Sequence, residues 1–231
     1  FNSSKSRTQW GGFTLRWYAD MFASRNIIAA LHNTLLIAFL SALIATVIGV
    51  AACIAINTMK PVHKAIVMGI TNIPMLNADI VTGISLMLAF IAFGISLGFK
   101  TILIAHITFN IPYVILSVMP KLKQTNRSTY EAAMDLGAGP VFAFFKVVFP
   151  DILPGVLSGF LLAFTMSLDD FIITHFTKGA GINTLSTLIY SEVRRGIRPS
   201  MYALSTVIFL TVLTLLIFTN FAPRKKVEKR V

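Results

Sequence analysis

The chain has 231 residues, of which 55% are hydrophobic and 13% charged, against about 25% charged in ordinary soluble domains. That balance excludes a typical soluble domain and points to a single integral membrane domain. The formal net charge of +11 does not mark a nucleic-acid binder, because the lysines and arginines flank apolar runs instead of gathering on one soluble face.

Residues 1–26 form a mixed lead-in, with Trp10, Trp17 and Tyr18 suited to a membrane interface. No apolar core precedes a small-residue cleavage site, so the segment does not read as a signal peptide. There is no initiator Met, and we expect the chain to begin partway through a longer protein. Asn2-Ser3-Ser4 fits a glycosylation sequon but carries little weight.

Five membrane spans are predicted. Residues 27–59 contain no Lys, Arg, Asp or Glu and are long enough to cross with tilt. A short basic turn, Lys60 to Lys64, precedes the second run, 65–99, which Pro74, Asn77 and Asp79 interrupt. The third run, 101–120, carries Asn110 and Pro112 near its middle. The fourth, 152–176, contains Asp169 and Asp170, and the fifth, 199–223, is apolar apart from hydroxyls. Five crossings put the two ends of this chain on opposite sides. The single cysteine, Cys53, excludes an internal disulfide and reads as a packed thiol.

Between the third and fourth spans lies a polar interruption, 121–151. Ser128 and Glu131 have capping-box spacing. Gly137 suits a left-handed helix end, and Pro140 suits the first position of another helix. Tyr130, Ala133, Met134 and Gly137 share one face. The stretch predicts two short helices joined at Gly137–Pro140.

Glu131-Ala132-Ala133, Gly137, nine further residues and Val147-Val148-Phe149-Pro150 resemble the E-A-A-x-x-x-G-x9-I-x-L-P loop of bacterial ABC importer permeases. Val147 stands for Ile and Phe149 for Leu. The resemblance implies an all-α polytopic bundle, with six membrane helices in the full chain, in the bacterial inner membrane. It implies that Glu131, Ala132, Ala133, Gly137 and Pro150 belong to a cytoplasmic loop docking on an ATPase, Gly137 being the bend. The partners it implies are a second homologous permease subunit, two cytoplasmic ATPases, an external solute-binding protein and membrane lipid. Asn77–Leu86, His106–Phe109, Phe164–Phe171 and Ile189–Pro199 narrow the likeness to spermidine/putrescine importers.

Orientation follows from the basic residues. The side holding 60–64, 121–150 and the tail 224–231 carries eleven, the opposite side nine. This bias is small and the dense tail leans the same way; the cytoplasmic placement of the loop rests mostly on the resemblance.

Intramembrane acids are costly and therefore functional candidates. Asp169, Asp170 and Asp79 are assigned to a cation pathway, or alternatively to helix capping or pairing with Lys178, Arg194 or Arg195. Neighbouring helical residues point about a hundred degrees apart, so one of Asp169 and Asp170 must find a backbone N–H, a hydroxyl or a partner helix. Arg194, Arg195 and Arg198 put positive charge in one external loop. Gly94-Ile95-Ser96-Leu97-Gly98 matches G-x-S-x-G and, with His106 or His175, gives an intramembrane serine protease as the remote alternative. A turn at a span end explains these glycines better. His32, His63, His106 and His175 lack metal-ligand spacing, and His106 reads as an interhelical hydrogen-bonding residue. Gly155 and Gly159 permit close helix packing. No P-loop occurs, so this chain does not itself bind ATP by one; the resemblance implies that ATP and Mg are held by the partner ATPase, with no cofactor in this chain. The expected function is transport of polyamines, the alternative being another solute such as ferric iron, an organic cation or an amino-acid-like compound.

Overall fold

A computed structural model describes residues 2–4 and 9–221. Lys5, Arg7 and the basic tail 224–231 lie outside the described residues. Among the described residues the structure is all α, with one isolated bridge between Asn2 and Phe13. The helices are α1 (Arg16–Ala23), α2 (Arg25–Thr58), α3 (Pro61–Leu76), α4 (Asp79–Ala92), α5 (Phe99–Gln124) and α6 (Arg127–Asp135). They continue as α7 (Pro140–Ala143), α8 (Phe149–Asp169), α9 (Ile172–Thr177), α10 (Leu185–Arg195) and α11 (Pro199–Phe221). A π-helical turn, Phe144–Val148, joins α7 to α8 without a break.

Contacts divide the chain into two compact units, Ala29–Thr187 and the described parts of Phe1–Ile28 with Leu188–Val231. In the second of these, α1 packs along α11, and Met21, Met201, Ala203 and Leu204 are buried. Trp17 donates its indole N–H to the Asn2 carbonyl (2.7 Å), and Asn2 Oδ1 accepts from the Ser4 and Gly11 N–H groups.

The unit Ala29–Thr187 is built on α2, α5 and α8. Ala42, Ala45, Cys53 and Ile56 of α2 meet Val114, Ile115, Val118 and Met119 of α5 and Ile152, Val156 and Ala163 of α8. Small residues bring these backbones close. A Cβ added to Gly159 would stand 3.3 Å from the Val114 Cα, and one at Gly155 would be tighter still. This is the small-residue packing expected of helices that meet in lipid. Cys53 is buried, with its Sγ 3.6 Å from the Ile115 carbonyl.

Around this apolar core the unit also buries polar side chains and turns large apolar ones outward. Thr34, Ser41, Thr46, His106, Asn110 and Ser167 are buried, while Leu35, Phe39, Leu43 and Val47 of α2 and Leu157 and Leu161 of α8 are exposed. Apolar surface turned outward and hydroxyls turned inward suit a hydrocarbon solvent.

Three helical stretches are long and apolar enough to cross a membrane: Arg25–Thr58, Phe99–Gln124 and the continuous Pro140–Asp169. A fourth arises if α3 and α4, bent by 105° at their junction, form one broken span. The second predicted run is therefore not one straight helix. Its break falls at Asn77–Ala78, both extended, while Pro74 stays inside α3. The run at 152–176 also departs from expectation: α8 ends at Asp169, and α9 starts anew at Ile172. Of the fifth, 199–210 forms a shorter apolar stretch of α11.

Candidate functional site

The polar interruption between α5 and α8 folds around α6. Its N-cap is Asn126, whose side chain accepts the Ser128 N–H at 3.0 Å. Ser128 itself is therefore not the cap, which corrects the capping-box reading: Asn126 precedes it by two residues and closes an Asx turn first. At the other end Gly137 has φ +85°, and the Gly137 and Ala138 N–H groups bond the carbonyls of Met134 (2.9 Å) and Ala133 (3.1 Å). This pair of bonds is a Schellman motif, with glycine where a Cβ would be strained.

Pro140 occupies the first turn of α7, as its missing N–H allows. The helix it starts is not short, however. It runs through the π-turn into α8, so the loop's second helix is the first part of a membrane-length helix. Pro150 accounts for the π-turn. It has no N–H for the Lys146 carbonyl, and its ring crowds the preceding turn. The ladder widens just before it, with the Phe149 N–H reaching the Phe144 carbonyl.

Glu131, Ala132, Gly137 and Pro150 are exposed and Ala133 is half-buried. Leu136, at the end of α6, is 89% exposed, and Val141, Phe142 and Phe145 also face outward. Between this knob and the ends of α2 and α5 lies a cavity of about 800 Å³, bordered by Ile54, Met59, Leu122, Tyr130 and Phe144. An apolar, capped, protruding turn is a shape that a partner protein can grip.

The intramembrane acids are not equivalent. Asp169, the last residue of α8, and Asp79, the first of α4, are exposed. Asp170 is turned inward, its side chain 8% exposed. It accepts the N–H groups of Ile173 (3.2 Å) and Thr174 (2.8 Å) and the Thr174 hydroxyl (2.8 Å), so it caps α9. His106 Nε2 lies 3.4 Å from Asp170 Oδ2 and 2.9 Å from Thr174 Oγ1.

The network continues across three helices. His106 Nδ1 is in short contact with Ser167 Oγ, which lies 3.1 Å from Ser41 Oγ; Asn110 Nδ2 reaches Ser41 Oγ at 3.4 Å. Thr174 gives its proton to the carboxylate, so at His106 it accepts. Nε2 then carries the ring proton, and Nδ1 accepts from Ser167. Asn110 Oδ1, fully buried, has no partner among the described residues.

Ser41, Asn110, Ser167 and Thr174 were not singled out as site residues from the sequence. A signal was there: His106 and Asn110 are four apart, and Ser167, Asp170 and Thr174 are spaced three and four apart, each set on one helical face. The remaining candidates separate. Gly94, with φ +68°, makes a turn between α4 and α5, and Ser96 is exposed while His106 is committed to Ser167 and Thr174. Arg198 pairs with Glu192 at 3.3 Å and Arg194 lies over the Tyr190 ring. No three His, Cys, Asp or Glu side chains gather among the described residues.

The sequence profile of binding-protein-dependent transport system inner membrane components matches residues 45–227. The chain is 37% identical over 225 residues to the spermidine/putrescine transport system permease protein PotC of Haemophilus influenzae, covering 97% of this chain and 88% of that one. It is 38% identical over 216 residues to the putrescine transport system permease protein PotI of Escherichia coli K12, covering 90% and 76%. A solved bacterial ABC transporter involved in the import of the acidic polysaccharide alginate shares the fold, with a TM-score of 0.72 over 92% of this chain and 84% of that one, at 18% identity.

Proposed function

The chain belongs to the family of binding-protein-dependent transport system inner membrane components, and on that premise we propose that it forms half of the membrane pathway of an ATP-driven polyamine importer. As a member of this family it is a multi-pass membrane permease subunit and not an enzyme. Family membership implies a companion permease, an ATPase and a solute-binding protein. In our reading there are two ATPases, they carry ATP and Mg, and they sit against the 121–151 loop on the cytoplasmic side.

The observation that carries the solute assignment is the likeness, over nearly the whole chain, to permeases of spermidine and putrescine systems. The chemistry agrees with it. Exposed carboxylates at Asp79 and Asp169, at breaks between apolar helices, suit an aliphatic chain bearing ammonium groups. Coupling runs through the loop: closure of the ATPases moves α6, and the continuous helix from Pro140 to Asp169 carries that motion towards Asp169. Glu131 and the Gly137 turn form the gripped surface.

Uptake of labelled spermidine and putrescine by cells with the gene deleted, then restored at full length, tests the assignment. Uptake should disappear on deletion and return on restoration. Unchanged polyamine uptake in a strain without another polyamine importer rules the solute out and turns attention to whatever the companion binding protein holds.

A further inference from the structure

Neither Gly nor Pro explains why α8 stops at Asp169; the local signal is Asp170, whose carboxylate caps α9. The stretch from Ser158 has one glycine, Gly159, which is buried inside the helix, and from Phe160 to Thr177 there is neither Gly nor Pro. Only Asp170 and Phe171 separate α8 from α9, and the run reads as one apolar helix. With no Gly or Pro to force the break, tertiary contacts add to the local cap in holding it.

Those contacts converge on Asp170. Its backbone leaves the helical region, with φ −59° and ψ 127°. Its carbonyl accepts the Ser186 hydroxyl at 2.7 Å, and its carboxylate takes two N–H groups and the Thr174 hydroxyl. Behind these stands His106, on α5, 1% exposed. Its ring joins Ser167, three residues before the break, to Thr174, four residues after it. One side chain of a neighbouring helix thus ties both flanks of the break. Phe109 lies across the ring edge at 5.3 Å and helps fix its plane.

We propose that His106 is a positioning residue for transport: by bridging Ser167 and Thr174 it holds the α8–α9 break open and so keeps Asp169 presented to the solute path. The proposal rests on the reading of Asp169 as part of a water-lined pathway. His106 touches no solute. Without it, Asp170 retains only its local cap, and α8 is free to propagate through Asp170 and Phe171 into α9. A helix continuing through that point pulls the backbone N–H groups of Ile173 and Thr174 away from the carboxylate and re-aims Asp169. Only a hydrogen-bonding side chain of the right reach can replace the ring, so Gln should serve where Phe fails.

The test uses the full importer in proteoliposomes and reads two quantities. The first is labelling of Asp169→Cys, in a Cys53→Ala background, by a membrane-impermeant maleimide, which does not depend on the solute. His106→Phe should slow labelling by about tenfold, the factor one lost buried hydrogen bond is worth, and His106→Gln should recover most of it. The second is spermidine uptake with Asp169 intact, where His106→Phe should raise KM more than it lowers the maximal rate, and His106→Gln should stay near the unmodified protein. If His106→Phe does not reach the membrane, Thr174→Val cuts the same link from the other side and carries the same expectation. Labelling that is equally fast with His, Gln and Phe at position 106 overturns the proposal. A wild-type importer that takes up no spermidine counts against the polyamine assignment alone, and the labelling then decides the role of His106.

Discussion

Gly155 of α8 lies so close to Ser117 of α5 that a Cβ added there would stand 3.0 Å from the Ser117 carbonyl oxygen. The Lys121 side chain is as near, at 2.9 Å, but the carbonyl is backbone and cannot swing aside as a side chain can. Gly155→Val should therefore force α5 and α8 apart and cost about 1–3 kcal/mol. Thermal unfolding in detergent measures it, and a melting curve like that of the unmodified protein would show that the two helices are not packed this way.

The turn at Gly137 gives a contrasting case. Its φ of +85° favours glycine, but among the described residues nothing beyond its chain neighbours lies within 4 Å of a Cβ built there. Gly137→Asn, which tolerates that conformation, should leave insertion and uptake near normal. Gly137→Arg should insert yet lose ATP-driven uptake, because Arg strains the turn at this φ and its bulk meets the partner that grips the loop. Co-purification with the ATPase distinguishes the two; full retention with Arg would remove the loop from the coupling interface.

Capping of α6 separates two neighbouring polar residues. Asn126→Ala should destabilise the helix by about 1 kcal/mol, whereas Ser128→Ala should change little, since Asn126 and not Ser128 accepts the first-turn N–H. Protease sensitivity of the loop in the intact complex is a suitable readout. The reverse order of effects would restore Ser128 as the cap.

Much of this architecture was legible in the sequence because its causes are local. Uncharged runs of membrane length gave α2 and α5, and the spacing of Glu131, Gly137 and Pro140 gave the end of α6 and the start of α7. What escaped was decided at a distance or by close competition. Asn126 and Ser128 are both good caps, and sequence alone does not rank them. Pro74, Asn77 and Asp79 all interrupt the second run, and sequence alone does not rank these either; the 105° bend comes at Asn77–Ala78. At Asp170 the capping alternative was legible, but the tie to a histidine 64 positions earlier in the chain is one that no periodicity within 152–176 reveals.

Asp169 and Asp170, adjacent in sequence, should respond differently to substitution. Asp170→Ala leaves two N–H groups and a hydroxyl short of an acceptor, which costs about 1–3 kcal/mol or more. Its first effect should be on stability and on the amount of protein in the membrane. Asp169→Asn, at an exposed position, should leave both unchanged and weaken uptake. Equal loss of stability in the two variants would mean that both carboxylates are structural.

The central claim, that this permease subunit couples an ATPase to polyamine entry, is tested most directly by reconstitution. The full importer is placed in proteoliposomes with ATP on the ATPase side, and the binding protein and labelled spermidine on the other. The account predicts spermidine accumulation that requires ATP and that disappears with Gly137→Arg. ATP hydrolysis stimulated by the binding protein carrying a different solute, with no accumulation of spermidine, would contradict it.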